Sequence, residues 1–192
     1  MVIKIIEYKH FSRGIGGTVV INDEVHDAEI YRTAYMRVQR DVLRENSLPL
    51  KCLLDPIGPW KEAGEDFVTL RDDTVVSMRI WFHLLHGKAD SEMRNPDIRI
   101  AEVWHAIEAS RKYFFDIRKL CDWFGAWWKR HEGVYHFVDD MRQLLYPCYT
   151  LNCAHGFKAA TMMLTIRNYG KITEFNPTRH RHLYLPPAVM RK

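Results

Sequence analysis

The spacing of apolar residues changes near Thr74, and this change restricts the folds open to the chain. Before it, apolar side chains recur mainly at every second position; after it, they recur at every third or fourth. A period of two suits a strand with one buried face, and a period near 3.6 suits an amphipathic helix. The spacing therefore predicts an α+β chain. Residues 1–87 form a small sheet flanked by helices, and residues 95–170 are almost wholly helical.

Within the first part, "VIKIIEY" (Val2–Tyr8) is rich in β-branched residues and reads as a strand. "RGIGG" breaks it and Thr18–Ile21 resumes it as a hairpin. "AEIYRTAYMRV" alternates, with Ile30, Arg32, Ala34, Met36 and Val38 on one side. Asp66–Leu70 reads as a third short strand. Between these strands, "VQRDVLRENSLPLKCLL" (Val38–Leu54) holds two short helical runs that meet at a Ser-Leu-Pro joint. Isolated helices below about 12 residues are marginal in water, so both runs must lean on other elements. "DPIGPW" is a loop. The helix that follows is expected to be capped by Asp72 or Asp73, to turn Val76, Ile80 and Leu84 inward, and to stop at Gly87.

In the second part, Asn95 and Pro96 open a helix carrying Ile100, Val103, Trp104 and Ile107. A second helix starts after Asp116 and ends at Gly133. A third stops at Pro147 and a fourth at Gly170, before an extended, proline-punctuated tail.

Chemistry-bearing patterns are sparse. "GIGG" precedes a strand, whereas a phosphate cradle must open a helix. "NDEVHDAE" clusters Asp23, Glu24, His26, Asp27 and Glu29 but lacks EF-hand spacing. Cys148, Cys153 and His155, with His136 nearby, are spaced too widely for an ordinary zinc knuckle, and the two cysteines read as small apolar residues at a helix start. No hydrolase, metalloprotease or phosphate-loop signature occurs. The expectation is a chain that is not an enzyme, with no cofactor, no metal and no disulfide.

Charge narrows the partners. The net charge of +4 is scattered apart from Trp127–His131 and Arg179–His182, which argues against nucleic acid as a partner. No apolar run approaches the roughly 20 residues that cross a bilayer, and no signal sequence opens the chain. The expected setting is inside the cell, in nucleus or cytoplasm. Trp104 and Trp123 fit a core stripe. Trp127 and Trp128 point about 100° apart on a helix, so one of them is expected near the surface, facing another chain or the tail.

The segment with Val38, Arg40, Val42, Leu43 and Ser47 resembles the BTB/POZ domain, where a strand leads into a short helix with a Val-Leu pair and then a Ser before the next helix. "DFVTLRDDTVVSMRIWFHLLHGK" and "AEVWHAIEASRKYFFDIRKLCDWF" resemble later segments of that family. The tail is similar to that of long BTB-like proteins of filamentous fungi. Gln39 departs from the usual His, Leu50 from a common aromatic, and "GPWKEAGE" lengthens a loop. The resemblance implies a BTB/POZ-like domain over 1–131, with an α+β core at 17–94 and a helical pair at 95–131. Residues 132–192 would be a helical extension and tail. It further implies a non-catalytic interaction module with protein partners, acting as a homodimer or as an adaptor on a cullin scaffold of a ubiquitin ligase. Val2, Ile3, Ile5 and Ile6 would lie on a dimerising edge strand. Ile100 and Glu102 would match the hydrophobic-x-acid element that meets a cullin. A nucleic-acid or chromatin factor using the basic helix and tail is the alternative.

Overall fold

The computed structural model describes residues 1–8, 30–88, 98–167 and 172–190. The hairpin strand at 18–21, the acidic cluster at 23–29, the Asn95–Pro96 helix start and the Gly170 stop lie outside these residues.

The architecture is α+β. Strands β1 (Val2–Tyr8), β2 (Ile30–Arg37) and β3 (Phe67–Arg71) form one sheet in the order β2-β1-β3. β1 runs antiparallel to β2 and parallel to β3. The core face is set by register: Ile3 sits between Met36 and Val68, and Ile5 between Ala34 and Leu70. Ile3 and Ile5 are fully buried. This corrects the expectation of β1 as an exposed dimerising edge. Both of its edges are paired, Ile3, Ile5 and Ile6 are buried, and Val2 is half-buried, so the strand has no open ladder to offer.

Between β2 and β3 lie α1 (Arg40–Asn46) and α2 (Leu48–Leu53), followed by a 3-10 turn at Lys61–Gly64. Ser47 explains the joint. Its hydroxyl accepts from Leu50 N–H at 3.1 Å, capping α2, and donates to the Tyr113 carbonyl at 2.7 Å. Leu43 and Leu50 turn inward, so each short helix is held by the core rather than by its own length.

Helix α3 (Val75–Leu85) is capped by Thr74, whose hydroxyl accepts from Ser77 N–H at 3.1 Å, and not by Asp72 or Asp73. Asp72 sits in the left-handed region at φ 64°, and Asp73 turns inward to Tyr113. Val76 and Ile80 are buried as expected, whereas Leu84 is only partly so. Gly87, at φ +67°, ends the helix.

Helices α4 (Ile100–Tyr113), α5 (Ile117–His131), α6 (Val138–Thr150), α7 (Ala154–Arg167) and the short α8 (Pro187–Met190) complete the chain. α6 passes through Pro147 instead of stopping there. Proline cannot donate to the carbonyl four residues back, which is that of Gln143. Trp104 Nε1 takes this freed acceptor at 2.9 Å, so the helix survives its proline. Buried residues from Ile3 to Leu185 form one continuous core. The tail is tied on by Leu183 and Leu185, both buried, and by the Phe175 N–H, which donates to the Arg142 carbonyl of α6 at 3.1 Å.

Candidate functional site

Alternation along the strands puts Val2, Lys4 and Ile6 on the second face of the sheet, which is covered at Ile6 and open toward Tyr35 and Phe67. Tyr35 pairs with Lys4, and Val2 pairs with both Arg37 and Phe67, so these side chains share the face opposite Ile3 and Ile5. Tyr35 is 62% exposed and Phe67 47%. Their ring centroids lie 5.9 Å apart across β1, and Lys4 Nζ sits 5.8 Å from the Tyr35 ring. At this separation the rings attract one another, and the ammonium adds a cation–π contact. The result is an exposed aromatic platform with a cation at its centre.

The residues singled out from sequence lie elsewhere and are largely enclosed. Ile100 is buried in the core. Glu102 is half-buried, with Oε2 accepting from the Thr74 hydroxyl at 2.8 Å. Burial pushes its carboxyl up from the ordinary range, against the lowering effect of that hydrogen bond; nearby Glu7 adds to the rise. Glu7 itself accepts from Val75 N–H at 2.9 Å. Two acids and a threonine thus converge on the α3 N-terminus, where negative charge is favourable. Ile100 therefore braces the interior, and the half-buried Glu102 is held at the α3 N-terminus by Thr74.

Trp127 and Trp128 are both buried, which corrects the expectation that one would reach the surface. Helix α5 is covered on more than one side. The Trp127 ring lies 4.8 Å from His131 and 5.5 Å from Phe124, and Trp128 packs toward Gly156 on α7. Neither indole is free to stack on a base. Trp104 and Trp123 are in the core as expected.

The sequence reading missed a contact between two thiols. Cys148 and Cys153, read as separate small apolar residues, share a hydrogen bond in which the Cys148 S–H donates to the Cys153 sulfur. All four cysteines are free thiols, and no cluster among the described residues could hold a metal ion. Among the described residues no helix is long and apolar enough to cross a membrane.

No protein-family model matches the chain, and neither a curated protein nor a solved structure matches it.

Proposed function

We propose that the chain is a non-catalytic protein–protein interaction module of the BTB/POZ-like kind, which self-associates through the open face of its sheet. The observation that carries this reading is the exposed Tyr35–Phe67 pair. Two large rings held on a rigid sheet lose little conformational freedom on contact, and aromatic residues dominate interface hot spots. The paired short helices between β2 and β3 follow the order of segments on which the BTB/POZ resemblance rests. Recruitment of another protein, a cullin scaffold included, is the second form of the same reading. It would draw on this face and not on the enclosed Ile100 and Glu102.

The test is the double change Tyr35→Ser with Phe67→Ser, followed by sedimentation at tens of micromolar. The wild type should run as a dimer, and the double variant as a monomer with the same melting curve. Identical sedimentation of the two proteins would remove the open face as the contact surface.

A further inference from the structure

The end of α6 is a Schellman motif: Asn152 N–H bonds to the Tyr149 carbonyl at 3.2 Å, and Cys153 N–H to the Cys148 carbonyl at 2.8 Å. Asn152 supplies the left-handed residue at φ 52°. In this motif the residue two beyond the cap commonly touches the residue it bonds back to, usually as an apolar pair. Here those two positions are Cys153 and Cys148, so the turn itself brings the thiols together.

Cys153 also caps the next helix. Its carbonyl accepts from Phe157 N–H at 2.9 Å, and its sulfur accepts from Gly156 N–H. Gly156 is needed here because a Cβ on it would stand 2.8 Å from Cys148 Sγ and 3.1 Å from Cys153 Sγ. Trp128 completes the enclosure, its Cε2 lying 3.2 Å from the same point. Trp128 Nε1, bonded to that carbon, is buried without a hydrogen-bond partner among the described residues. A buried N–H donor on the ring that walls in the two sulfurs has hydrogen-bonding capacity left for an oxygen held on one of them.

The two thiols differ in access. Cys153 lines a cleft of about 720 Å³ between α5 and the start of α7, while Cys148 lies buried behind it. Charged and titratable groups reach the cleft from α5 (Arg118, Asp122 and Lys129), from Glu132 at its C-terminal cap, and from α7 (His155, 3.2 Å from Glu132). The hydrogen bond from Cys148 and that from Gly156 N–H bring the Cys153 thiol down to about 6, against the opposing effect of burial. Cys121, on the wall of the same cleft, is pushed up by burial.

We propose that Cys153 is a peroxide-reactive nucleophile and Cys148 its resolving partner, making this cleft a site of reversible thiol oxidation that closes as an intrachain disulfide. In the first step the Cys153 thiolate attacks one oxygen of hydrogen peroxide. The O–O bond breaks, hydroxide leaves, and Cys153 becomes a sulfenic acid. In the second step the Cys148 sulfur attacks the Cys153 sulfur. The S–S bond forms, the S–O bond breaks, and the hydroxide departs with the Cys148 proton as water. Two thiols lose two electrons and one peroxide becomes two waters, with the proton that Cys153 earlier released neutralising the first hydroxide. Trp128 Nε1 donates to the oxygen carried by Cys153 between the steps. A disulfide needs Cα atoms within about 4.4–6.8 Å, and the backbone bond between the same two residues already holds them close.

The experiment treats the reduced protein with one equivalent of hydrogen peroxide and follows intact mass and peptide maps. The wild type should lose two hydrogens as a Cys148–Cys153 link, at least tenfold faster than exposed Cys52 is oxidised. Cys148→Ser, nearly isosteric, should stop at one added oxygen on Cys153 that dimedone captures, while Cys153→Ser should show neither product. Iodoacetamide labelling of Cys153 in the wild type should be half-maximal near pH 6. Oxidation of Cys153 no faster than that of Cys52, or unchanged thiol loss in Cys153→Ser, would overturn the proposal.

Discussion

Two polar clusters of this molecule, one around Asp73 and one around Cys153, differ in whether their donors and acceptors are used up. Around Asp73 all the polar groups that meet are engaged. Its Oδ2 accepts from Tyr113 Oη at 2.6 Å and from Lys112 Nζ at 2.9 Å; Lys112 also reaches the Arg71 carbonyl, and the Tyr113 carbonyl accepts from Ser47. Burial, and then the Asp73 carboxylate, push the Tyr113 hydroxyl far up, so it stays a donor. Around Cys153 the account stays open, with a polarised sulfur facing a cleft and an indole N–H that has no partner among the described residues. A saturated network fixes one geometry, and an unsaturated one keeps capacity for a ligand or a reaction. The first cluster ties β3, α2 and α4 together; the second can still change its bonding.

The strongest way to break this contrast is to empty the first cluster. Asp73→Ala strips two donors of their shared acceptor, with Tyr113 too buried to find water. It should lower unfolding free energy by about 3 kcal/mol. Urea titration would show an earlier midpoint at unchanged slope. Asp73→Asn, which keeps an oxygen for Tyr113, should recover much of the loss. Equal losses in both variants would mean that the charge, and not the saturated bonding, is what matters there.

A smaller effect sharpens the same contrast inside one residue type. Trp81 Nε1 donates to the Ala106 carbonyl at 2.7 Å, whereas Trp128 Nε1 donates to nothing among the described residues. Both rings are buried, so Trp81→Phe and Trp128→Phe remove similar volume. The difference between them isolates the hydrogen bond. Trp81→Phe should be the costlier by about 1 kcal/mol. If Trp128→Phe proves equally costly in paired denaturation curves, its N–H is engaged and the second cluster is not open.

Much of the sheet and helix order was legible because alternation and helical spacing are local signals. Ile3 and Ile5 alternate with Val2 and Lys4 in sequence and in the sheet alike. Ser47 marked the joint between two short helices for the same reason. Features that failed to show depend on distant partners. Pro147 reads as a stop, since the residue that takes the carbonyl it frees on Gln143, Trp104, lies 39 positions before that glutamine. Trp127 and Trp128 cannot both face one neighbour, and nothing local says that α5 is covered on more than one side. β1 looks like an edge until β3 adds to it in parallel. The thiol contact had a signal that went unread. "CYTLNC" ends a helical run in Leu-Asn, and an Asn at that place sets the turn that returns the second cysteine to the first.

The smallest expected effect concerns pH. Cys153 titrates near 6 in the folded protein, against 9.0 for an ordinary cysteine. Between these values the unfolded chain holds a proton that the folded one has released, so this group makes the protein more stable as pH rises. The contribution is fully present above about 9 and is lost as pH falls through about 6. Solvent in the half-open cleft weakens it, which places it below the other two effects. Cys148 is pushed the opposite way, by its hydrogen bond to Cys153 and then by burial, and it would act only above this window. Melting curves of the wild type and of Cys153→Ser, taken in steps from pH 6 to pH 8, cancel the other titrating groups. The wild type should gain on the variant with each step. Parallel curves would mean that the fold does not favour the thiolate, and the Cys153 cluster would then be as chemically closed as the one around Asp73.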